Sequence, residues 1–427
     1  MSSGPETPDH HKRMDRRHYW RDQSHQQSHA QSEEEPSPII EHPLVSRQGP
    51  LAVDTPGGLA AMIEHLQQAG QFAFDTEFIG ERTYQSQLCL IQAATSERVF
   101  VVDALAGLDL GPFWELIVSP DVQKIVLAGQ QDLAFAVQHT GRLPANVTDV
   151  QIAAGFVHAE YPLSLVRLLA QFLGVSIGKA HTFTHWDKRP LSAVQVRYAG
   201  DDVRYLPAAW QMILDKLTEL GRAQWAQEES AAALGDMLLY RSPPELIYTR
   251  VRGKERLGPR QLAVLRELAM LRDTIARNED LPPRTVLKDP VLLAMARRPA
   301  GTLADLDDVS GLPRPIEIQY GQAIVQATAR ALSLPADQLP PVEPPEKNYA
   351  PERIDAAWAA ITQRCIDNSI APALATNRKE LTRLYFTAAR KRQAADAIAW
   401  LEQHRLMRGW RRELFGDIVA GLLQQGS

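Results

Sequence analysis

Two carboxylates stand inside an otherwise apolar run, FAFDTEF at residues 72–78, and this run constrains the 427-residue chain more than any other feature. It reads as a strand, whose period of two puts the side chains of Asp75 and Glu77 on one face. Like charges held side by side repel unless a cation or a shared proton compensates them, so a divalent-metal site is the economical answer. A pair at a strand end facing water would be equally at ease, and the run by itself leaves both readings open.

Its surroundings are those of an α/β domain. A helical pattern, GGLAAMIEHLQQAG, ends in glycine just before it, and two more strand-like runs follow, LCLIQAAT and RVFVVDA. WELIVSP, KIVLAG, DLAFAVQHTG and SLVRLLAQFLG then alternate short apolar runs with helical ones, giving a domain expected over residues 46–240. After RSPPEL the strand signals vanish. QLAVLRELAMLRDTIARNED is an amphipathic helix with a PP stop, and VLLAMARRP, TLADLDDVSGLP and IEIQYGQAIVQATARAL continue the series into a small helical bundle over 248–335. A proline-rich linker at 336–350 leads to a second helical unit at 351–427. Residues 1–45 hold half of the twelve histidines, show no apolar periodicity, and read as a disordered tail.

Three further residues carry chemistry only in combination. Asp132 lies where the strand-like KIVLA gives way to a helix, a place that favours an acid in any protein. Tyr198 and Asp202 are four apart in LSAVQVRYAGDDVRYLPAAW and share a helical face, as a buried tyrosine and its acceptor would. Taken in order, D-x-E on a strand, an Asp at a strand-to-helix junction and Y-x-x-x-D on a helix resemble the three motifs of the DEDD exonucleases, tyrosine subclass. The local text FDTEF, QDLAF with TDVQIAAGF, and WDKRPLSAVQVRYAGDDVRYL looks like the ribonuclease D family over residues 50–215. RELAMLRDTIARNEDLPPRTVLKDPVLLAMARRP resembles that family's first helicase-and-ribonuclease-D C-terminal (HRDC) domain, and the C-terminal stretch with GWRRELFG looks like its second, more diverged copy.

The resemblance implies a ribonuclease H-like α/β fold, a mixed sheet flanked by helices, followed by two small all-α HRDC-like bundles. It implies a metal-dependent 3′→5′ exoribonuclease that hydrolyses single-stranded RNA ends with two Mg²⁺ or Mn²⁺ ions and releases nucleoside 5′-monophosphates. Asp75 would bridge the ions, Glu77 and Asp202 would complete one site, Asp132 would hold the other through water, and Tyr198 would orient the attacking water. Phe78 and Tyr84 beside the first motif are candidates for stacking on terminal bases, and Lys188 and Arg189 before the last motif for phosphate contact. Two places depart from the family pattern. Leu127 stands where a His is usual, and Thr184-His185-Trp186 where Ser-Asp-Trp is usual, which bears on substrate preference more than on hydrolysis.

Composition narrows the setting. The formal net charge is −5, yet twelve Lys/Arg against six Asp/Glu lie between Tyr248 and Arg298. That excess suits a grip on the RNA body through phosphates, although a solvated helical face would look the same. Cys89 and Cys365 lie too far apart in sequence, and lack the partners, for a disulfide framework or a cysteine zinc site. No apolar run of about 18 residues occurs and the first residues lack a secretory core, so the expectation is a cytoplasmic protein with no membrane and no obligate protein partner. Its substrate would be RNA with a free 3′ end, tRNA precursors and other stable RNAs being what the family implies. A DNA-directed 3′→5′ exonuclease of the same superfamily and an inactive RNA-binding scaffold are the competing readings.

Overall fold

The apolar runs around Asp75 assemble into one sheet. Strands β1 (Leu51–Val53), β2 (Gln71–Ile79), β3 (Gln87–Ala94), β4 (Val99–Asp103), β5 (Gln123–Val126) and β6 (Val147–Asp149) lie in the order β1-β4-β3-β2-β5-β6. β2 is an interior strand that pairs antiparallel with β3 and parallel with β5, and β3 alone runs against the other five. The structure, a computed structural model, describes residues 39–177, 185–342, 351–391 and 397–424. Residues 1–38 of the expected tail, Thr184 and the linker stretch 343–350 lie outside the described residues.

Alternation along each strand feeds two cores. Helices α1 (Pro56–Ala69), α2 (Gly111–Val118) and α3 (Gln130–Thr140) cover one face, where Phe72, Phe74, Ile91 and Val102 pack with Met62, Phe113, Trp114 and Leu133. α1 starts where the Thr55 hydroxyl accepts the Gly58 N–H and stops at Gly70, whose φ of 70° suits a residue without a Cβ. The other face carries Ala73, Ala94 and Val99. It is covered by α4 (Val150–Ala154), α5 (Leu165–Leu173), α6 (Ala193–Arg204), α7 (Leu206–Glu219) and α8 (Ala223–Leu234). Each fully buried Phe or Leu contributes roughly 1.5–3 kcal/mol, which lets this sheet tolerate acids on its central strand.

Only helices follow. After α9 (Met237–Tyr240), the first group comprises α10 (Pro259–Glu279), α11 (Pro283–Val286), α12 (Asp289–Arg297), α13 (Ala304–Asp307) and α14 (Arg314–Ser333). α10 packs on α12 and α14, burying Leu265, Leu268, Ile275, Leu292 and Ile324. The second group comprises α15 (Pro351–Asp367), α16 (Pro372–Ala375), α17 (Arg378–Lys391), α18 (Ala397–Gln403) and α19 (Gly409–Gln424). Its Ile354, Ile361, Leu374 and Phe415 do not form a separate core; they join the one that holds Val150, Phe156 and Trp210. The architecture is the mixed sheet flanked by helices, then helices alone, that the sequence predicts. Among the described residues no helix is long and apolar enough to cross a membrane.

Candidate active site

A local cause brings each acid to the same place. On β2, Asp75 and Glu77 share the face of Ala73, while Thr76 points to the other side and reaches Asp132. Asp132 is delivered by the turn Leu127-Ala128-Gly129 that follows β5. Ala128 adopts a φ of 55° and donates its N–H to the Asp149 carboxylate at 3.1 Å. A Cβ at Gly129 would lie 2.5 Å from the Val126 side chain, so only glycine lets the chain turn here. The turn aims the first turn of α3 at β2, where one Asp132 oxygen accepts both the Thr76 N–H, at 3.1 Å, and the Thr76 hydroxyl. Leu127 packs half-buried against the core.

Helix α6 delivers the last motif. The Ser192 hydroxyl accepts the Gln195 N–H and the Gln195 side chain accepts the Ser192 N–H, a reciprocal cap that fixes where the helix starts. A Cβ at Gly200 would lie 2.5 Å from the Pro50 ring, so glycine permits the close approach of α6. The fully buried Arg204 guanidinium donates to Asp201 and to the carbonyls of Ser46 and Gln48, anchoring the helix end. Tyr198 and Asp202 fall on the inner face, where the Tyr198 hydroxyl donates to the Asp202 carboxylate. The Tyr198 ring stacks on buried Trp186 with centroids 6.2 Å apart.

The electrostatics of this cluster follow from crowding. Burial, then the charges of Asp132, Asp202 and Glu77, push the Asp75 carboxyl well above the usual range. Glu77 is pushed up to about 8 by burial and by Asp202 and Asp132. Asp202 rises to about 7, mainly through burial and then Asp201, and burial raises Asp132 although hydrogen bonds from Thr76 and with Asp75 oppose it. Burial and the same carboxylates raise the Tyr198 hydroxyl, which keeps its proton. Left alone, such acids hold protons near neutrality; an all-oxygen, multiply acidic donor set of this kind fits a hard divalent cation in their place. Among the described residues no three His, Cys, Asp or Glu side chains already close into a nest for one ion. The hydrogen bonds among Asp75, Asp132 and Thr76 and between Tyr198 and Asp202 take up oxygens that a cation would otherwise use.

The four residues expected to touch substrate divide into two kinds. Phe78 is half-buried with its ring 5.4 Å from Phe135, and Lys188 is exposed. Tyr84 is engaged away from the acids: its hydroxyl donates to Asp273 at 2.8 Å and the Arg277 guanidinium lies 5.1 Å from its ring centre. Arg189 is spent on bidentate donation to Asp103 and on the carbonyls of Trp186 and Cys89. Sequence reasoning missed Thr76, Trp186 and Asp103, which steady Asp132, Tyr198 and Arg189. Their partners are 56, 12 and 86 residues away, so no local pattern signals them. A surface hollow of about 820 Å³, lined by Val147, Trp210 and Ser230 among others, lies away from the acids.

Comparison with known proteins gives this geometry a context. Residues 50–218 match the family model described as 3′-5′ exonuclease, and residues 261–328 match the HRDC domain model. The ribonuclease D of Gluconacetobacter diazotrophicus is 33% identical over 377 residues, covering 87% of this chain and 92% of the relative. That of Desulfotalea psychrophila is 32% identical, covering 86% and 96%. Among solved structures, the chain is similar to Escherichia coli RNase D, described as an exoribonuclease involved in structured RNA processing. The TM-score is 0.75 at 27% identity, over 89% of this chain and 100% of the other.

Proposed function

The chain belongs to the ribonuclease D family of 3′→5′ exoribonucleases, and from that premise we propose that it trims single-stranded 3′ ends of structured RNAs, tRNA precursors foremost, in the cytoplasm. The observation that supports this site is the crowding of Asp75, Glu77, Asp132 and Asp202, in which burial and the charges of Asp132 and Asp202 raise both Asp75 and Glu77 beside a tyrosine kept protonated. These four acids would hold two Mg²⁺ or Mn²⁺ ions. When bound, the ions supply Lewis acidity, lowering the pKa of the attacking water and stabilising charge on the leaving oxygen.

The chain's own residues do the positioning. Tyr198 stays a donor, so it fixes Asp202 and the water's orientation and does not serve as a free base. The water oxygen bonds to the terminal phosphorus as the bond to the 3′ oxygen of the penultimate nucleotide breaks. The products are a nucleoside 5′-monophosphate and an RNA one residue shorter with a 3′ hydroxyl. Lys188, which is exposed, keeps the phosphate role expected of it, while Phe78 packs against Phe135 and Tyr84 and Arg189 are held by other side chains. Residues 46–240 are read as the nuclease, 248–335 as an HRDC domain, 336–350 as linker and 351–427 as a second HRDC-like domain. The exposed Arg252, Arg256, Lys288, Arg297 and Arg298 give the HRDC domain at 248–335 the cations to hold the RNA body.

The test is a time course with Mg²⁺ or Mn²⁺ on a 3′-extended RNA hairpin and a matched DNA, wild type beside Asp202→Ala. Stepwise shortening of the RNA that halts near the duplex and disappears in the variant is expected. Preference for DNA would favour the DNA-directed reading, and no release by wild type would favour the scaffold. Tyr198→Phe should lower kcat more than it changes KM.

A further inference from the structure

Gln92 is the one fully buried side chain on the acid-bearing face of the sheet whose amide has no hydrogen-bond partner at either nitrogen or oxygen, among the described residues. It sits on β3 directly opposite Asp75 of β2 and opposite Val101 of β4. Directly opposed residues project from the same face, so the amide lies in the layer that carries the Asp75 carboxylate. Along β3 that face continues as Leu90 and Ala94, which pack with Ala199 and Val203 of α6 in the two neighbouring apolar clusters. Gln92 therefore falls beneath the helix that brings Tyr198 and Asp202.

Packing alone gives no reason for an amide there. Every neighbour named is apolar except Asp75, and a buried amide without a partner is unfavourable where Leu or Met would fill the same volume. A side chain with both a donor and an acceptor, adjacent to a carboxylate, is what is needed to hold that carboxylate at a fixed angle.

We propose that Gln92 is a positioning residue for Asp75, its amide N–H donating to the Asp75 carboxylate, directly or across one trapped water, when that carboxylate is committed to a divalent ion. The proposal rests on the reading of Asp75 as a metal ligand. The amide orients the carboxylate and touches neither substrate nor the reacting atoms.

The experiment compares full-length wild type, Gln92→Leu, Gln92→Met and Asp75→Ala by thermal unfolding without metal, by calorimetric titration with Mn²⁺, and by kinetics on a 3′-extended RNA. For Gln92→Leu we expect unchanged or higher Tm without metal, Mn²⁺ affinity down by roughly 10-fold, and kcat reduced with KM for RNA little changed. Greater stability with weaker ion binding is a combination that a merely structural residue does not produce. Gln92→Met carries the same expectation, should Leu misfold in this layer. Wild-type Mn²⁺ affinity in both Gln92 variants while Asp75→Ala has lost it would overturn the role of Gln92 alone. Unchanged affinity in Asp75→Ala would sink the metal-site reading, and the role of Gln92 with it.

Discussion

The two helical groups that follow the sheet domain are attached to it in opposite ways. The last group shares its core: Trp410 meets Phe156 at 4.9 Å between ring centres and stacks on Trp225 at 6.1 Å. A buried Arg411 donates to both oxygens of Glu229, and the Ala371 N–H donates to the Gly155 carbonyl at 2.8 Å. The first group keeps its own core and reaches the loop after β2 through polar contacts centred on one side chain. Tyr84 donates its hydroxyl to Asp273 and its backbone N–H to Asp280, with Arg277 over the ring. Shared apolar burial joins the last group to the sheet, whereas at Tyr84 the first group meets the sheet domain through half-exposed polar contacts, which are worth less. The chain thus carries one helical group built into the core of the sheet domain and one that meets that domain through the polar contacts of Tyr84.

The largest effect should come from the fused joint. Arg411→Ala leaves the largely buried Glu229 carboxylate without its ion-pair partner and with only the Trp410 N–H as donor, and should lower the unfolding free energy by about 3 kcal/mol in denaturant titration. A loss under about 1 kcal/mol would mean that the joint is not fused in the sense argued. The same joint should be acid-sensitive. Burial would raise the Glu229 carboxyl, but Arg411 and the Trp410 N–H overcome this and hold it below its ordinary value of 4.5. A carboxyl lowered on folding contributes fully above its unfolded pKa and loses that contribution as pH falls through the folded one. The stability margin of wild type over Glu229→Gln should therefore be constant above about pH 5 and shrink below about pH 4. A margin that widens on acidification contradicts the sign.

The polar joint at Tyr84 should respond more weakly. Tyr84→Ala should cost about 1 kcal/mol or less while accelerating amide exchange from Asp273 to Asp280, the last turns of α10 and the residue that ends it. Destabilisation equal to that of Arg411→Ala would erase the distinction between the groups. The smallest effect is expected of Lys188→Ala, which should leave stability unchanged and flatten the salt dependence of RNA binding by about one contact. An unaltered slope would remove Lys188 from the phosphate path.

What was legible in the sequence was periodic. The alternation around Asp75 and Glu77, the four-residue step from Tyr198 to Asp202 and the helices after residue 240 could all be read from spacing. What was not legible depends on partners far away in the chain. Tyr84 looked like a base-stacking aromatic because its acceptor, Asp273, is 189 residues away, and Arg189 looked free because Asp103 is 86 residues away. Gln92 sits unremarked in LCLIQAAT, since only the strand order shows that it faces Asp75. The bulge in the β2–β3 pairing, where Glu77 opposes Leu90 but Phe78 opposes Leu88 and Cys89 is left over, also has no sequence signature.

The shared core has a consequence in time. Val45 and Leu422 belong to the same cluster, so material from both ends of the chain is needed to finish it. Translation at about 5–20 residues per second separates the emergence of residue 240 from that of residue 422 by roughly ten to forty seconds. During that interval the nascent chain already carries Asp75, Glu77, Asp132, Tyr198 and Asp202, but Phe156 and Trp225 have yet to meet Trp410. A polypeptide released before the last helix is made holds the whole acid cluster and its tyrosine on a scaffold whose shared core is unfinished, an unstable product exposed to chaperones and proteases.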